Sequence, residues 1–178
     1  MLDAVIYIAA TLAANYMAAW FVPLPIFGLV SIGTLAFGVT FTERDRVHRF
    51  GRKAVYTMIL VAAALNVLES VFLGVSGRVI LASFTAIILA EAADTEVYQR
   101  LIGRPWIQRV AGSNAVSIPI DTVLFTCIAF AGVFPTTMLI SIIFGDMVLK
   151  AVISGLVAIR RETIVRLARA PLSERGRG

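Results

Sequence analysis

Charge is scarce in this 178-residue chain: only 15% of its residues are Asp, Glu, Lys or Arg, against about 25% in an ordinary soluble domain. Cysteine and histidine occur once each, as Cys127 and His48. One cysteine excludes a disulfide scaffold, and a single His with a single Cys is a poor ligand set for zinc or haem. A phosphate-binding glycine loop is also lacking. We therefore expect no catalytic residues, no metal site and no cofactor.

Hydrophobic residues make up 59% of the chain, and the mean hydropathy is +0.89. A helix that spans a membrane needs about 20 mostly apolar residues. The sequence predicts an all-α integral membrane protein with six transmembrane helices in one domain over residues 1–178, of which 159–178 form a basic tail. The predicted spans are approximately 2–21, 26–42, 54–73, 78–90 (continuing into an acidic stretch), 113–132 and 136–159.

Basic residues predict the orientation of these spans. Of the 16 Lys and Arg residues, 14 lie in three places, namely the links 43–53 and 100–109 and the tail. Cytoplasmic loops carry such an excess, so both termini are expected on the cytoplasmic side of a multi-pass protein of the cytoplasmic membrane. The net charge of +5 then indicates contact with the lipid bilayer rather than with nucleic acid. His48, in the first link, is expected to be solvated.

Ionisable groups inside predicted spans are costly, and they usually face a helix-bundle interior or a wet cavity. Several helices carry such groups or neighbouring amides and rings at helical spacing. Two open alternatives are that the amides only join helices and that Asp146 and Lys150, four residues apart, neutralise each other. The candidates for one shared binding site are Asn15, Glu91, Asp94, Asn114, Ser117, Asp121, Phe125, Asp146 and Lys150.

The chemistry of these candidates suits a flat, polar and mostly neutral ligand. Carboxylates accept hydrogen bonds from paired N–H donors, amides both donate and accept, and aromatic rings stack. A guanine-like edge, with its ring N–H and exocyclic amine, would match a carboxylate well.

Small residues recur every four positions in the first predicted helix, at Ala10, Ala14 and Ala18. This spacing lets two helices approach closely. The stripe is compatible with packing inside the chain and with an external contact, either in a homo-oligomer or with a partner subunit.

Five stretches together resemble the vitamin uptake transporter family, whose best-known members are queuosine-precursor transporters. They are Phe41–Gly51, Ala90–Tyr98, Ser113–Phe125, Asp146–Lys150 and the pair Asn15–Tyr16. The resemblance implies import of 7-cyano-7-deazaguanine or a related deazapurine across the cytoplasmic membrane. It also implies substrate-site roles for Asn15, Glu91, Asp94, Asn114, Asp121, Phe125, Asp146 and Lys150.

One position departs from the family pattern. Many relatives have an acidic residue seven places before the glycine that is Gly51 here, whereas this chain has Arg44 followed by Asp45. The roles of these two residues are left open at this point, as are the exact substrate and the driving ion.

Two other functions compete with a stand-alone transporter. A substrate-binding membrane subunit of an energy-coupling-factor importer also has six helices and alanine-rich small-residue motifs on its first helix, which the stripe at Ala10, Ala14 and Ala18 matches. The other hypothesis, a membrane-embedded enzyme or lipid-binding protein, is supported by the buried carboxylates alone.

Overall fold

The computed structural model describes residues 1–25 and 28–169, and it is built almost wholly from helices. The helices are α1 (Leu2–Tyr16), α2 (Phe37–Val47), α3 (Arg52–Phe72), α4 (Gly77–Arg100), α5 (Trp106–Phe130) and α6 (Thr136–Arg169). An antiparallel hairpin of β1 (Phe21–Leu24) and β2 (Gly28–Ser31) and two short 3-10 segments, Ile32–Ala36 and His48–Phe50, complete it. The all-α prediction is confirmed.

The region of the first two predicted spans folds differently from the expectation. The first helix ends at Tyr16 instead of near residue 21, and the hairpin follows. Pro23 and Pro25 lack the N–H that a helix needs, and Gly28 has a positive φ of 79°, which favours glycine. The predicted span 26–42 thus consists of β2, a 3-10 segment and the start of α2, with residues 26 and 27 outside the described chain.

The boundary of α2 is the second correction. This helix continues to Val47, through part of the stretch 43–53 that was predicted as a cytoplasmic link. Hydropathy placed the end of the span near Thr42 because charged residues follow it. Four of the polar residues in this stretch are buried in the folded chain: Glu43, Arg44, Asp45 and His48.

Three helices are long and apolar enough to cross a membrane, judged by length and composition within the described residues: α3, α5 and residues 136–160 of α6. They agree with three of the predicted spans. Helix α4 has 24 residues but carries acidic groups in its second half, and α1 has 15 residues, fewer than the roughly 20 of an upright span. Helix α6 extends into the predicted tail, whose residues 170–178 lie outside the described chain.

Helix α1 and the first 3-10 segment touch at the backbone. A Cβ atom on Gly33 would lie 2.3 Å from the carbonyl oxygen of Ala14, so only glycine fits there. The Ser31 hydroxyl caps this segment by accepting from the Gly33 N–H, and it donates to the carbonyl of Ala18. Two members of the alanine stripe therefore make contacts inside the chain.

Candidate functional site

A mostly apolar cavity with charged groups on its wall lies among α1, the first 3-10 segment, α2, α4, α5 and α6. It holds about 880 Å³ of space between the atoms, including the solvent at its open mouth. Seven of the nine predicted site residues line it: Asn15, Glu91, Ser117, Asp121, Phe125, Asp146 and Lys150. The acids of three separate helices therefore face one shared space, as the sequence predicted.

Arg44 is the centre of the first charge cluster. It is 1% exposed, and its two terminal nitrogens lie 2.8 Å from Glu91 and 3.0 Å from Asp94. Asp45 is 3.9 Å away. A guanidinium fork can serve two carboxylates at fixed angles, so Arg44 ties α2 to α4 on the wall of the cavity. The sequence left its role open because this position departs from the family pattern.

Two of the predicted site residues lie behind the cavity wall. Asp94 is fully buried and accepts from the hydroxyl of Ser117 at 2.9 Å, in addition to its ion pair with Arg44. Asn114 donates to the hydroxyl of Ser154 at 2.6 Å, which joins α5 to α6. Neither lines the cavity, so in this structure Asp94 positions Arg44, and Asn114 joins helices.

Lys150 pairs across helices rather than along its own. Its Nζ atom lies 2.7 Å from Asp121 and 3.0 Å from the hydroxyl of Thr122, both on α5. The open alternative that Asp146 and Lys150 neutralise each other is therefore not realised as a direct contact, because the ammonium group pairs with Asp121. The ring of Phe37 lies 5.9 Å from the same nitrogen.

Asp146 instead binds neutral donors. Its Oδ1 atom accepts from the Ser31 N–H at 3.0 Å and from the Thr34 hydroxyl at 2.9 Å. Among the residues whose side chains the structure describes, no Lys, Arg or His nitrogen forms an ion pair with it within 4.0 Å. This carboxylate therefore holds the segment between the hairpin and α2 against the middle of α6.

Asn15 joins helices and also faces the cavity. Its amide nitrogen donates to the hydroxyl of Ser70 at 2.8 Å, and its amide oxygen accepts from the hydroxyl of Ser83. These bonds join α1 to α3 and α4. The residue also lines the cavity, so it is a helix contact that faces the candidate ligand space.

Aromatic rings give the cavity flat apolar surfaces. Phe125 on α5 and Phe37 on α2 both line it, together with Tyr7 on α1. Sequence analysis found Phe125 by its spacing from Asp121. It missed Phe37 and Tyr7, since an aromatic residue in an apolar helix carries no signal that separates a lining position from a core position.

His48 is buried, which corrects the prediction that it is solvated. It is 7% exposed, its ring stacks on Tyr98 with centroids 4.3 Å apart, and the Gln99 amide lies 3.0 Å from Nδ1. Burial, with smaller contributions from Arg44 and Arg109, lowers the pKa of His48 to about 3. The ring is therefore neutral at physiological pH.

Asp45, His48 and Asp94 place donor atoms within 4.8 Å of one another, a spacing that a metal ion would fit. The Arg44 guanidinium already brings positive charge to both carboxylates. A second cation between them would be repelled by Arg44, so we assign this group to the charge balance of Arg44.

We expect acid to destabilise the folded protein through His48. At pH values between its folded pKa of about 3 and its ordinary pKa of 6.5, His48 is protonated in the unfolded chain and neutral in the folded chain. From pH 8 to pH 5, this residue should lower the free energy of unfolding by about 2 kcal/mol. The melting temperature of purified His48→Gln in detergent should fall less over that interval than the wild-type value does. Equal falls would contradict the assignment.

Apolar helices around a cavity with buried charged groups are typical of membrane transporters. A family model described as "Putative vitamin uptake transporter" matches residues 68–159, just over half of the chain. A protein of Bacillus subtilis (strain 168) described as "Probable queuosine precursor transporter" is 30% identical over 179 residues, covering 82% of this chain and 75% of that protein. No solved structure matches the chain.

The chain belongs to the vitamin uptake transporter family, and the resemblance found in the sequence is confirmed. It is accordingly a membrane protein of a transporter family, not of an enzyme family.

Proposed function

We propose that the protein imports a queuosine precursor, 7-cyano-7-deazaguanine or a related deazapurine, across the cytoplasmic membrane. The observation that carries this proposal is the shared cavity faced by two ion pairs, Glu91–Arg44 and Asp121–Lys150. The similarity to the Bacillus subtilis protein and its printed name support the substrate class.

The two paired acids suit the N–H edge of such a ligand. Asp121 and Glu91 keep 30% and 17% of their side chains exposed. Each uses one oxygen for its cation, which leaves the other to accept from a ring N–H or an exocyclic amine. Phe125 and Phe37 would stack on the heterocycle, and Asn15 would orient it. Asp94 and Asn114 support these groups from behind the wall.

The proposed topology has six spans within one domain of residues 1–178, with both termini and the basic tail in the cytoplasm. Three spans rest on length and composition. Of the other three spans, one would be α4. The remaining two would lie in the first and second halves of the region 2–47, which contains α1, the hairpin and α2 in that order. The alternation of basic links supports the orientation.

The structure gives less support to the energy-coupling-factor alternative. That reading used Ala10, Ala14 and Ala18 as a docking stripe, but Ala14 and Ala18 line the cavity. A stand-alone transporter fits better, whether it works as a monomer or as a homo-oligomer. If uptake by purified protein required an added ATPase module, the alternative would replace our proposal.

Uptake by purified protein tests the proposed function. Proteoliposomes should take up labelled 7-cyano-7-deazaguanine, and the ligand should raise the melting temperature of the protein, because it binds the folded state. Phe125→Ala should weaken binding by about 1–3 kcal/mol, the usual contribution of base stacking on an aromatic ring. Phe144→Ala is the matched control, since this α6 ring is 56% exposed and does not line the cavity. Equal affinities of the two variants would remove Phe125 from the site.

A further inference from the structure

The cavity wall carries unequal numbers of opposite charges. Three carboxylates line it, those of Glu91, Asp121 and Asp146, but only two cations, Arg44 and Lys150. The cations are committed to Glu91 and Asp121 at 2.8 and 2.7 Å. Asp146 is therefore the one cavity-lining acid in the described chain that has no cation within 4.0 Å, although it is only 5% exposed. A buried carboxylate in this position needs a compensating charge.

The two oxygens of Asp146 have different surroundings. Oδ1 accepts from the Ser31 N–H and the Thr34 hydroxyl, whereas Oδ2 accepts no hydrogen bond from the described residues. The residue lines the cavity, so Oδ2 is the oxygen that remains for a ligand, water or a proton.

We propose that Asp146 binds the coupling proton of the transport cycle, at Oδ2, and that the proton enters together with the substrate. This inference rests on the proposed function. A proton added to a lone pair of Oδ2 breaks no bond and removes the surplus negative charge of the cavity wall. Oδ1 stays a carbonyl-like acceptor for Ser31 and Thr34, and the new O–H can donate to the substrate.

A proton fits this site better than a metal ion does. Sodium or calcium would need several oxygen ligands around it, but Ser31 presents an N–H to the carboxylate. A proton requires only the lone pair of one oxygen.

The charged groups on the elements packed against α6 limit what else can titrate with Asp146. Across the cavity these are Asp121 on α5, already paired with Lys150, and Arg44 on α2, which holds Glu91 of α4. The hairpin and the 3-10 segment contribute only the neutral groups of Ser31 and Thr34 at this carboxylate. The proton therefore has one unpaired carboxylate to occupy on this wall.

Protonation would also act on the segment between the hairpin and α2. The bonds from Ser31 and Thr34 are charge-assisted while Asp146 is ionised, and they become weaker bonds between neutral groups when it is protonated. The segment lies against α1 at Gly33, on one side of the cavity. The strength of the contact between this segment and α6 therefore depends on the charge of Asp146. Binding of the proton would thus change how this wall of the site is packed.

Asp146→Asn tests the proposal, because asparagine keeps an oxygen for Ser31 and Thr34 but binds no proton. In proteoliposomes, the variant should still exchange labelled for unlabelled 7-cyano-7-deazaguanine, but an inward proton gradient should no longer drive accumulation above the equilibrium ratio. Asp3→Asn is the control, since this acid pairs with Arg49 near the surface, and it should accumulate like wild type. Gradient-driven accumulation by Asp146→Asn, or wild-type accumulation without any proton gradient, would overturn the proposal.

A second measurement needs no substrate. Below about pH 8, the melting temperature of the wild type should approach that of Asp146→Asn as the pH falls, because protonated aspartate resembles the amide. If the melting temperatures of wild type and Asp146→Asn changed in parallel from pH 8 to pH 5, the assignment would be overturned. It would also be overturned if the wild-type melting temperature approached that of Asp45→Asn instead, because the proton would then bind beside Arg44. Wild-type liposomes that show no exchange would refute the proposed function, while the melting curves still decide the role of Asp146.

Discussion

Replacing Arg44 with methionine should lower the free energy of unfolding by about 3–5 kcal/mol, the usual cost of removing one partner from a buried ion pair. The loss is expected to be large because Glu91 and Asp94 both depend on this guanidinium, at 2.8 and 3.0 Å. Asp94 has no exposed surface and would keep only the Ser117 hydroxyl. Denaturant or thermal unfolding of the purified protein in micelles measures the loss.

Arg46→Met is the matched control for Arg44→Met. Both arginines lie on α2, but the Arg46 side chain is 49% exposed and has a single carboxylate partner, the buried Glu43. Solvent reaches the Arg46 end of this pair, so its loss should cost clearly less than the loss of Arg44, which serves two carboxylates. Arg44→Lys should fall between the two, because an ammonium group lacks the fork that reaches two carboxylates. If Arg44→Met were as stable as Arg46→Met, the guanidinium would not be the centre of the cluster.

The shared cavity could be predicted from the sequence because the free-energy cost of placing a charged side chain in a membrane applies to each residue separately. A carboxylate in an apolar helix must face the interior or water, so Glu91, Asp121 and Asp146 could be placed on one interior surface from their positions alone. Apolar length likewise located α3, α5 and most of α6. These inferences needed no knowledge of which helix packs against which.

The same reasoning could not identify the partners of those acids. Local spacing suggested that Asp146 pairs with Lys150, but the helix packing brings Asp121 closer to the ammonium group. Arg44 and His48 are polar and follow an apolar run, so hydropathy placed both in a cytoplasmic link and predicted that His48 is solvated. Their burial depends on Asp94 and Tyr98 of α4, contacts that only the tertiary structure creates.

Three contacts made by charged side chains connect elements around the cavity. Arg44 joins α2 to α4, Lys150 joins α6 to α5, and Asp146 joins α6 to the 3-10 segment. Each lies on the wall that would face substrate, so a ligand that competes for one of these charged groups also changes how two elements are held together. Such a wall can sense the ligand and alter the packing around it, which alternating access requires.

Lys150→Met should lower the free energy of unfolding by about 3 kcal/mol, since it leaves Asp121 without a cation in a mostly buried setting. The double variant Lys150→Met/Asp121→Asn should recover most of that loss, because no unpaired charge remains on α5. Lys150→Met/Asp146→Asn should recover less, as Asp146 is held by Ser31 and Thr34 rather than by Lys150. Unfolding of the three variants in micelles, with Lys53→Met of the exposed end of α3 as control, measures the two couplings. A larger recovery of stability with Asp146→Asn than with Asp121→Asn would show that Lys150 pairs with Asp146 along α6, and it would contradict the pairing of Lys150 with Asp121.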